Sequence, residues 1–150
     1  MPTDFSAAST EAVRYAAFFA RWCNAGITLL HVVEPPNYPA WGYAYLSLRD
    51  EPLKKKARGK LETLGTELPS DLATQEVVMT GDAALKIVEA AEEQKSDLIV
   101  ISAHSHTGLR RLLLGSVTGK VVRLAPCPVL TIPGQHSATR KSTGPCDTRS

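Results

Sequence analysis

Short β-branched apolar runs alternate with longer helical periods along this chain, and the series opens on a helix. That order constrains the fold more than any single motif. Ile27 to Val33, Glu76 to Thr80, Leu98 to Ile101 and Val129 to Ile132 read as strands of a parallel sheet, apolar enough to be covered on both faces. Between them lie helical stripes. Residues 7–24 place Val13, Ala16, Ala17 and Ala20 on one face, with Ser9 and Thr10 near the start and Asn24-Ala25-Gly26 as a stop. Asp50-Glu51-Pro52 predicts a second helix start, followed by Leu53, Ala57, Leu61, Leu64 and Leu68 on one face, with Pro69 as its end. Asp82 caps a third, ending near Lys95, and Gly115-Ser116 opens a fourth. Pro35 to Tyr45 holds three prolines and is expected as an irregular loop whose aromatics cover part of the sheet.

Alternation of this kind implies an α/β fold, an open parallel sheet with helices on both faces. Such a domain normally begins with a strand, which is also central. Pro2-Thr3-Asp4 reads as the C-terminal end of that strand without its body. Either the true start lies upstream or the sheet has a gap that another segment must cover, since unpaired main-chain groups on both neighbours are costly when dry.

Composition excludes several classes. A length of 150 residues with 43% hydrophobic and 21% charged side chains suits one soluble domain. No apolar stretch is long enough to span a bilayer, and Met1 to Ser6 has no secretory pattern. Cys23, Cys127 and Cys146 are odd in number and widely spaced, which reads as reduced, unpaired and cytoplasmic. The net charge of +2 resides in residues 134–150, so the body is neutral and no nucleic-acid partner is expected. The run Lys54, Lys55, Lys56, Arg58 and Lys60 reads as a solvated helix face. Residues 1–133 form the domain, and the Ser/Thr/Gly-rich tail at 134–150 is expected to be disordered.

Ligands of such sheets bind beyond the carboxyl ends of the strands. Pro2 to Asp4, Val32 to Glu34, Thr80-Gly81 and Ser102 to Ser116 fall there. The last is a loop of small residues ending in Gly115-Ser116 at a helix start, where free N–H groups and the helix dipole favour phosphate. Gly115 to Lys120 imitates a P-loop, but its glycines are one residue too close and Val121 replaces the needed hydroxyl. His104 and His106 lack a third metal ligand, His31 reads as a core histidine, and Arg110 and Arg111 serve equally well as solvated charges. No general base or triad stands out, so an enzyme is not expected.

Pro-Thr-Asp-Phe-Ser at 2–6, Leu-Leu-His-Val-Val at 29–33, Thr-Gly-Asp at 80–82, Asp-Leu-Ile-Val-Ile at 97–101, Thr-Gly-Leu at 107–109, Leu-Leu-Leu-Gly-Ser-Val-Thr at 112–118 and Ala-Pro-Cys-Pro-Val-Leu at 125–130 together resemble the universal stress proteins. The resemblance implies a Rossmann-like fold, a cytoplasmic homodimer, a role in stress responses and, as in many members, ATP binding, with Mg²⁺ as a possible companion and at most slow hydrolysis. ATP-binding members carry Gly-x2-Gly-x9-Gly followed by Ser or Thr. Here Ser102 and Ser105 stand at the first two glycines, while Gly115 and Ser116 match. A serine forced into a left-handed conformation would cost about 1–2 kcal/mol. The resemblance places Thr3 and Asp4 at the ribose, Val32 at the base, and Ser102, His104, Ser105, Gly115, Ser116, Val117 and Thr118 around the phosphates. The alternative is a member that binds no nucleotide and acts through dimer and partner contacts. Residues 129–132 form an apolar edge strand suited to pairing two copies.

Overall fold

The computed structural model describes residues 1–35, 43–103 and 114–134, with the main chain alone over 43–50. Four helices and four strands alternate: α1 (Ala7–Cys23), β1 (Ile27–Val33), α2 (Tyr43–Thr66), β2 (Thr74–Thr80), α3 (Ala83–Glu93), β3 (Ile99–Ala103), α4 (Ser116–Leu124) and β4 (Val129–Pro133). The α/β class expected from the alternation is what the chain adopts.

The strands pair in parallel, as two pairs rather than one continuous sheet. β1 runs beside β2, with Ile27 opposite Thr74 and Val33 opposite Thr80. β3 runs beside β4, with Ile99 opposite Val129. The residues before α1 join this arrangement through one parallel bridge, Pro2 to Leu30. The Thr3 N–H donates to the Leu30 carbonyl at 2.8 Å, and the Leu30 N–H donates to the Met1 carbonyl at 2.9 Å. The open parallel sheet of the sequence reading is thus present with the gap that its truncated first strand implied, as two parallel pairs with Met1 to Thr3 bonded to β1.

Period-two alternation sorts the strand side chains between two cores. Ile27, Leu29, Val100 and Ile132 bury against Ala12, Val13, Ala16 and Ala20 of α1 and Leu61 and Leu64 of α2. Leu30, Ile99 and Ile101 bury on the other face against Ala84, Ile87, Ala90 and Ala91 of α3 and Val121 of α4. Neighbouring residues of one strand therefore serve opposite layers, as a sheet covered on both faces requires. Alanines on α1 and α3 let the helices approach the strands closely. The leucine stripe of α2 is anchored by Leu61, which is fully buried.

Three local expectations change. The cap of α1 is Ser6, not Ser9 or Thr10: its hydroxyl accepts from the Ser9 N–H at 3.2 Å. Ser9 and Thr10 instead turn their hydroxyls back to the Ser6 carbonyl at 2.9 and 3.1 Å. The second helix begins at Tyr43 rather than at Asp50, so Pro52 lies inside it. Proline there forgoes one main-chain hydrogen bond, and the helical stretch on either side outweighs that local preference. The same helix stops at Thr66, before Pro69. The expected loop at 35–45 otherwise falls largely outside the described residues, as do the tail from 135 onward and residues 104–113.

Candidate functional site

The chain turns from Thr3 into α1 through a dense set of local hydrogen bonds. Thr3 is buried, and its hydroxyl lies 2.9 Å from that of Ser9 while accepting from the Phe5 N–H at 3.0 Å. Phe5 takes a left-handed conformation, φ 63°, which reverses the chain before the helix cap. Asp4 is exposed and accepts from the Ser6 N–H at 2.9 Å in an Asx turn. Partial burial pushes its carboxyl up, but hydrogen bonds from Ser6 and Ser9 outweigh this and hold it below its ordinary value. Asp4 is therefore an anionic acceptor at neutral pH.

His31 fixes this turn to β1. Its Nδ1 lies 2.8 Å from the Thr3 carbonyl, and its ring stacks at 4.5 Å on Phe5. The Lys60 ammonium lies over the Phe5 ring, 4.8 Å from its centroid. Val32 follows on β1, half-buried and packed against the α3/α4 core.

Next to Val32, β2 ends in Thr80, whose hydroxyl is buried and is the one unpartnered buried side-chain polar atom among the described residues. Gly81 then takes φ 142°, a conformation open to glycine, as the chain turns toward α3. Its N–H donates to the Val33 carbonyl at 3.1 Å. Asp82 caps α3 by accepting from the Leu85 N–H at 2.9 Å, and its second oxygen takes the Lys120 ammonium at 2.9 Å. Those two bonds, the Leu85 N–H foremost, hold the Asp82 carboxyl below its ordinary value. Glu34 adds an acceptor for the Ala83 N–H at 3.2 Å.

On the β3 side, Ser102 is buried in extended backbone within the strand, opposite Ile132. Its conformation is not left-handed, so serine there carries no backbone penalty for replacing glycine. Its carbonyl accepts from the Thr118 hydroxyl at 2.9 Å, a buried bond that ties the start of α4 to the end of β3. Gly115 is the helix cap and provides no side-chain acceptor. The N–H groups of Ser116, Val117 and Thr118 have no acceptor within the helix, and Ser116 is exposed. Val117 packs against the same core as Val32, so one apolar cluster supports both halves of the site.

The structure thus gathers Thr3, Asp4 and Val32 at the end of β1, and Ser102, Gly115, Ser116, Val117 and Thr118 at the end of β3. His104 and Ser105 lie outside the described residues. Two of the hydroxyls, those of Thr3 and Thr118, are already engaged internally. Thr80 lies in the Thr80-Gly81 segment that the sequence places at a strand end, but its unpartnered hydroxyl has no sequence signal, and the Lys120–Asp82 pair spans 38 residues, beyond the reach of local pattern. Among the described residues no cluster of three metal-ligating side chains occurs, and no helix is long and apolar enough to cross a membrane.

The sequence model of the universal stress protein family matches residues 1–133. A universal stress protein of Methanocaldococcus jannaschii is 34% identical over 140 residues, 88% of this chain and 79% of that one. A second protein of that organism, 28% identical, has a solved structure that superposes with a TM-score of 0.79 over 91% of this chain and 94% of the other. A universal stress protein crystallised in complex with cAMP superposes at a TM-score of 0.57 with 27% identity, covering 90% of this chain and 94% of that one.

Proposed function

The chain belongs to the universal stress protein family, and from that premise we propose that it is a cytoplasmic adenine-nucleotide-binding module, with ATP as its ligand and at most slow hydrolysis. The observation that carries this reading is the start of α4 at Gly115, which has no side-chain cap of its own, with the N–H groups of Ser116, Val117 and Thr118, unpaired within the helix, set beside the end of β3. Those groups suit a triphosphate: three donors, a positive dipole end and the exposed Ser116 hydroxyl. The ionised Asp4 carboxylate suits ribose hydroxyls, which donate. The apolar surface of Val32 suits a base. The orphaned Thr80 hydroxyl is a further donor awaiting an acceptor. That a relative has been crystallised with cAMP supports an adenine nucleotide as the ligand class.

In this reading hydrolysis is at most slow, because among the described residues near the α4 start the carboxylates have other tasks. The carboxylates at hand, Asp4 and Asp82, are held by hydrogen bonds in their ionised form and serve as acceptor and cap. Mg²⁺, when it accompanies ATP, would be carried by the phosphates, in keeping with its preference for oxygen and water ligands. Two copies would pair along β4, which among the described residues is bonded on one side only, to β3.

Isothermal titration with ATP and Mg²⁺ tests the reading, beside the double variant Gly115→Ala, Ser116→Ala. Saturable micromolar binding that weakens at least tenfold in the variant is expected. A folded protein that takes up no ATP, AMP or cAMP at millimolar concentration would instead establish the reading in which dimer and partner contacts are the activity.

A further inference from the structure

One cation ties α4 to the start of α3. The Lys120 ammonium reaches from the second turn of α4 to the Asp82 carboxylate at 2.9 Å. The two helix starts differ in what they still lack. The first turn of α3 is served by two carboxylates, since Asp82 accepts from the Leu85 N–H and Glu34 from the Ala83 N–H. The first turn of α4 has no side-chain cap. Lys120 stands four residues after the exposed Ser116, so the two share one face of α4. Helical side chains lean toward the N-terminus, which carries the ammonium toward the open end. Four residues of helix rise about 6 Å, and an extended lysine stem covers that span. An ammonium has three N–H donors, and Asp82 is the one partner of Lys120 among the described residues. Lys86, the other cation at the start of α3, is held by both oxygens of Glu89 at 2.8 and 2.6 Å. The Lys120 and Asp82 side chains are 37% and 47% exposed, so a solute can reach both.

We propose that Lys120 is the residue by which this site distinguishes phosphorylated ligands from bare nucleosides: from its seat on Asp82, its ammonium turns its remaining donors to a ligand phosphate at the start of α4. The inference rests on the nucleotide reading above and adds a side chain outside the Gly115 to Thr118 segment. The N–H groups of a helix start orient a phosphate but carry only partial charge. A full cation one turn away adds a charge-assisted contact, and its attraction grows with the charge of the ligand. Asp82 is the positioning residue. It keeps a flexible stem near the helix start, so less rotamer freedom is lost when the ligand arrives. An ion pair this exposed adds little to folding, so its loss leaves the fold intact.

NMR titration with ATP, AMP and adenosine tests the proposal on wild type, Lys120→Met, Lys120→Arg and the double variant Lys120→Met, Asp82→Asn. In Lys120→Met, ATP affinity should fall about tenfold or more, AMP affinity by less, and adenosine affinity not at all. Lys120→Arg should recover most of the loss for ATP, because charge and donors return. The double variant should stay as weak toward ATP as Lys120→Met. Equal loss for all three ligands overturns the proposal and makes Lys120 a structural tie. Recovery of ATP binding in the double variant overturns it as well, since Lys120 would then only offset the Asp82 charge. A wild type that binds none of the three ends the nucleotide reading and this inference with it. A wild type that binds ATP no better than Lys120→Met does ends the inference alone.

Discussion

The buried Met1 ammonium should make stability depend on pH in a window where few other groups act. In the unfolded chain this amine titrates near 8.0, and in the fold near about 5. Between those values the unfolded state holds a proton that the folded state has released, so stability rises as pH climbs from 5 to 8 and is lost on the way down. Three units at about 1.36 kcal/mol each set a ceiling of ~4 kcal/mol. Relaxation of the protein around the buried group lowers the realised part toward ~1–2 kcal/mol. The other clear shifts act elsewhere. Asp4 and Asp82 are held low, so their contribution is present at neutral pH and lost only in acid, as pH falls through their depressed values. Burial raises the Cys127 thiol above its ordinary 9.0, which places it on the alkaline side. Urea unfolding at pH 5, 6, 7 and 8 reads the effect, on protein with intact Met1 verified by mass. With a slope of about 1–3 kcal/mol per molar, the midpoint should fall by ~1 M between pH 8 and pH 5. The Nα-acetylated chain has no such proton to bind, and its midpoint should stay level. If acetylated and free chains lose stability in parallel, the amine is not buried in a dry site and the reasoning fails.

Thr118→Val removes the hydroxyl that satisfies the Ser102 carbonyl and should cost ~1–3 kcal/mol in thermal unfolding while leaving the far-ultraviolet spectrum unchanged. Asp82→Ala removes both the α3 cap and the partner of Lys120. A lower unfolding midpoint is expected at pH 7, and almost no difference at a pH where the wild-type carboxyl is protonated, read as the gap between the two acid titration curves. Thr131→Pro deletes an N–H that faces away from β3, because the ladder to β3 uses Leu130 and Ile132. Sedimentation should show that this variant is monomeric at micromolar concentration while wild type pairs. Pairing that survives proline at 131 would place the contact elsewhere.

Helix and strand order was legible because burial imposes the period, and burial here is two-sided. Ile27 to Val33 lies where its β-branched run places it, since both faces of that strand are covered and no solvent-facing position breaks the signal. The start of α2 was not legible. Pro52 obeys a local rule about helix ends, and the chain overrides it where the helix extends back to Tyr43. The cap of α1 misled for a related reason: Ser6, Ser9 and Thr10 are all capping residues, and the choice among them depends on Phe5 turning left-handed against His31, a contact 26 residues away in sequence. The site shows the same division. Gly115-Ser116 and Asp4 were readable because helix starts and turns are local chemistry. The unpartnered state of the Thr80 hydroxyl and the pairing of Asp82 with Lys120 were not, since both arise only when β2, α3 and α4 meet. Ser102 shows where a local rule over-reaches. A glycine-to-serine change suggests strain, yet strain requires a left-handed backbone, and the pairing of β3 with β4 holds Ser102 extended. What serine alters there is therefore side-chain chemistry in a buried strand end, with the carbonyl already given to Thr118. On the proposed reading phosphate recognition therefore rests on the α4 start, where the sequence keeps both its glycine and its hydroxyl.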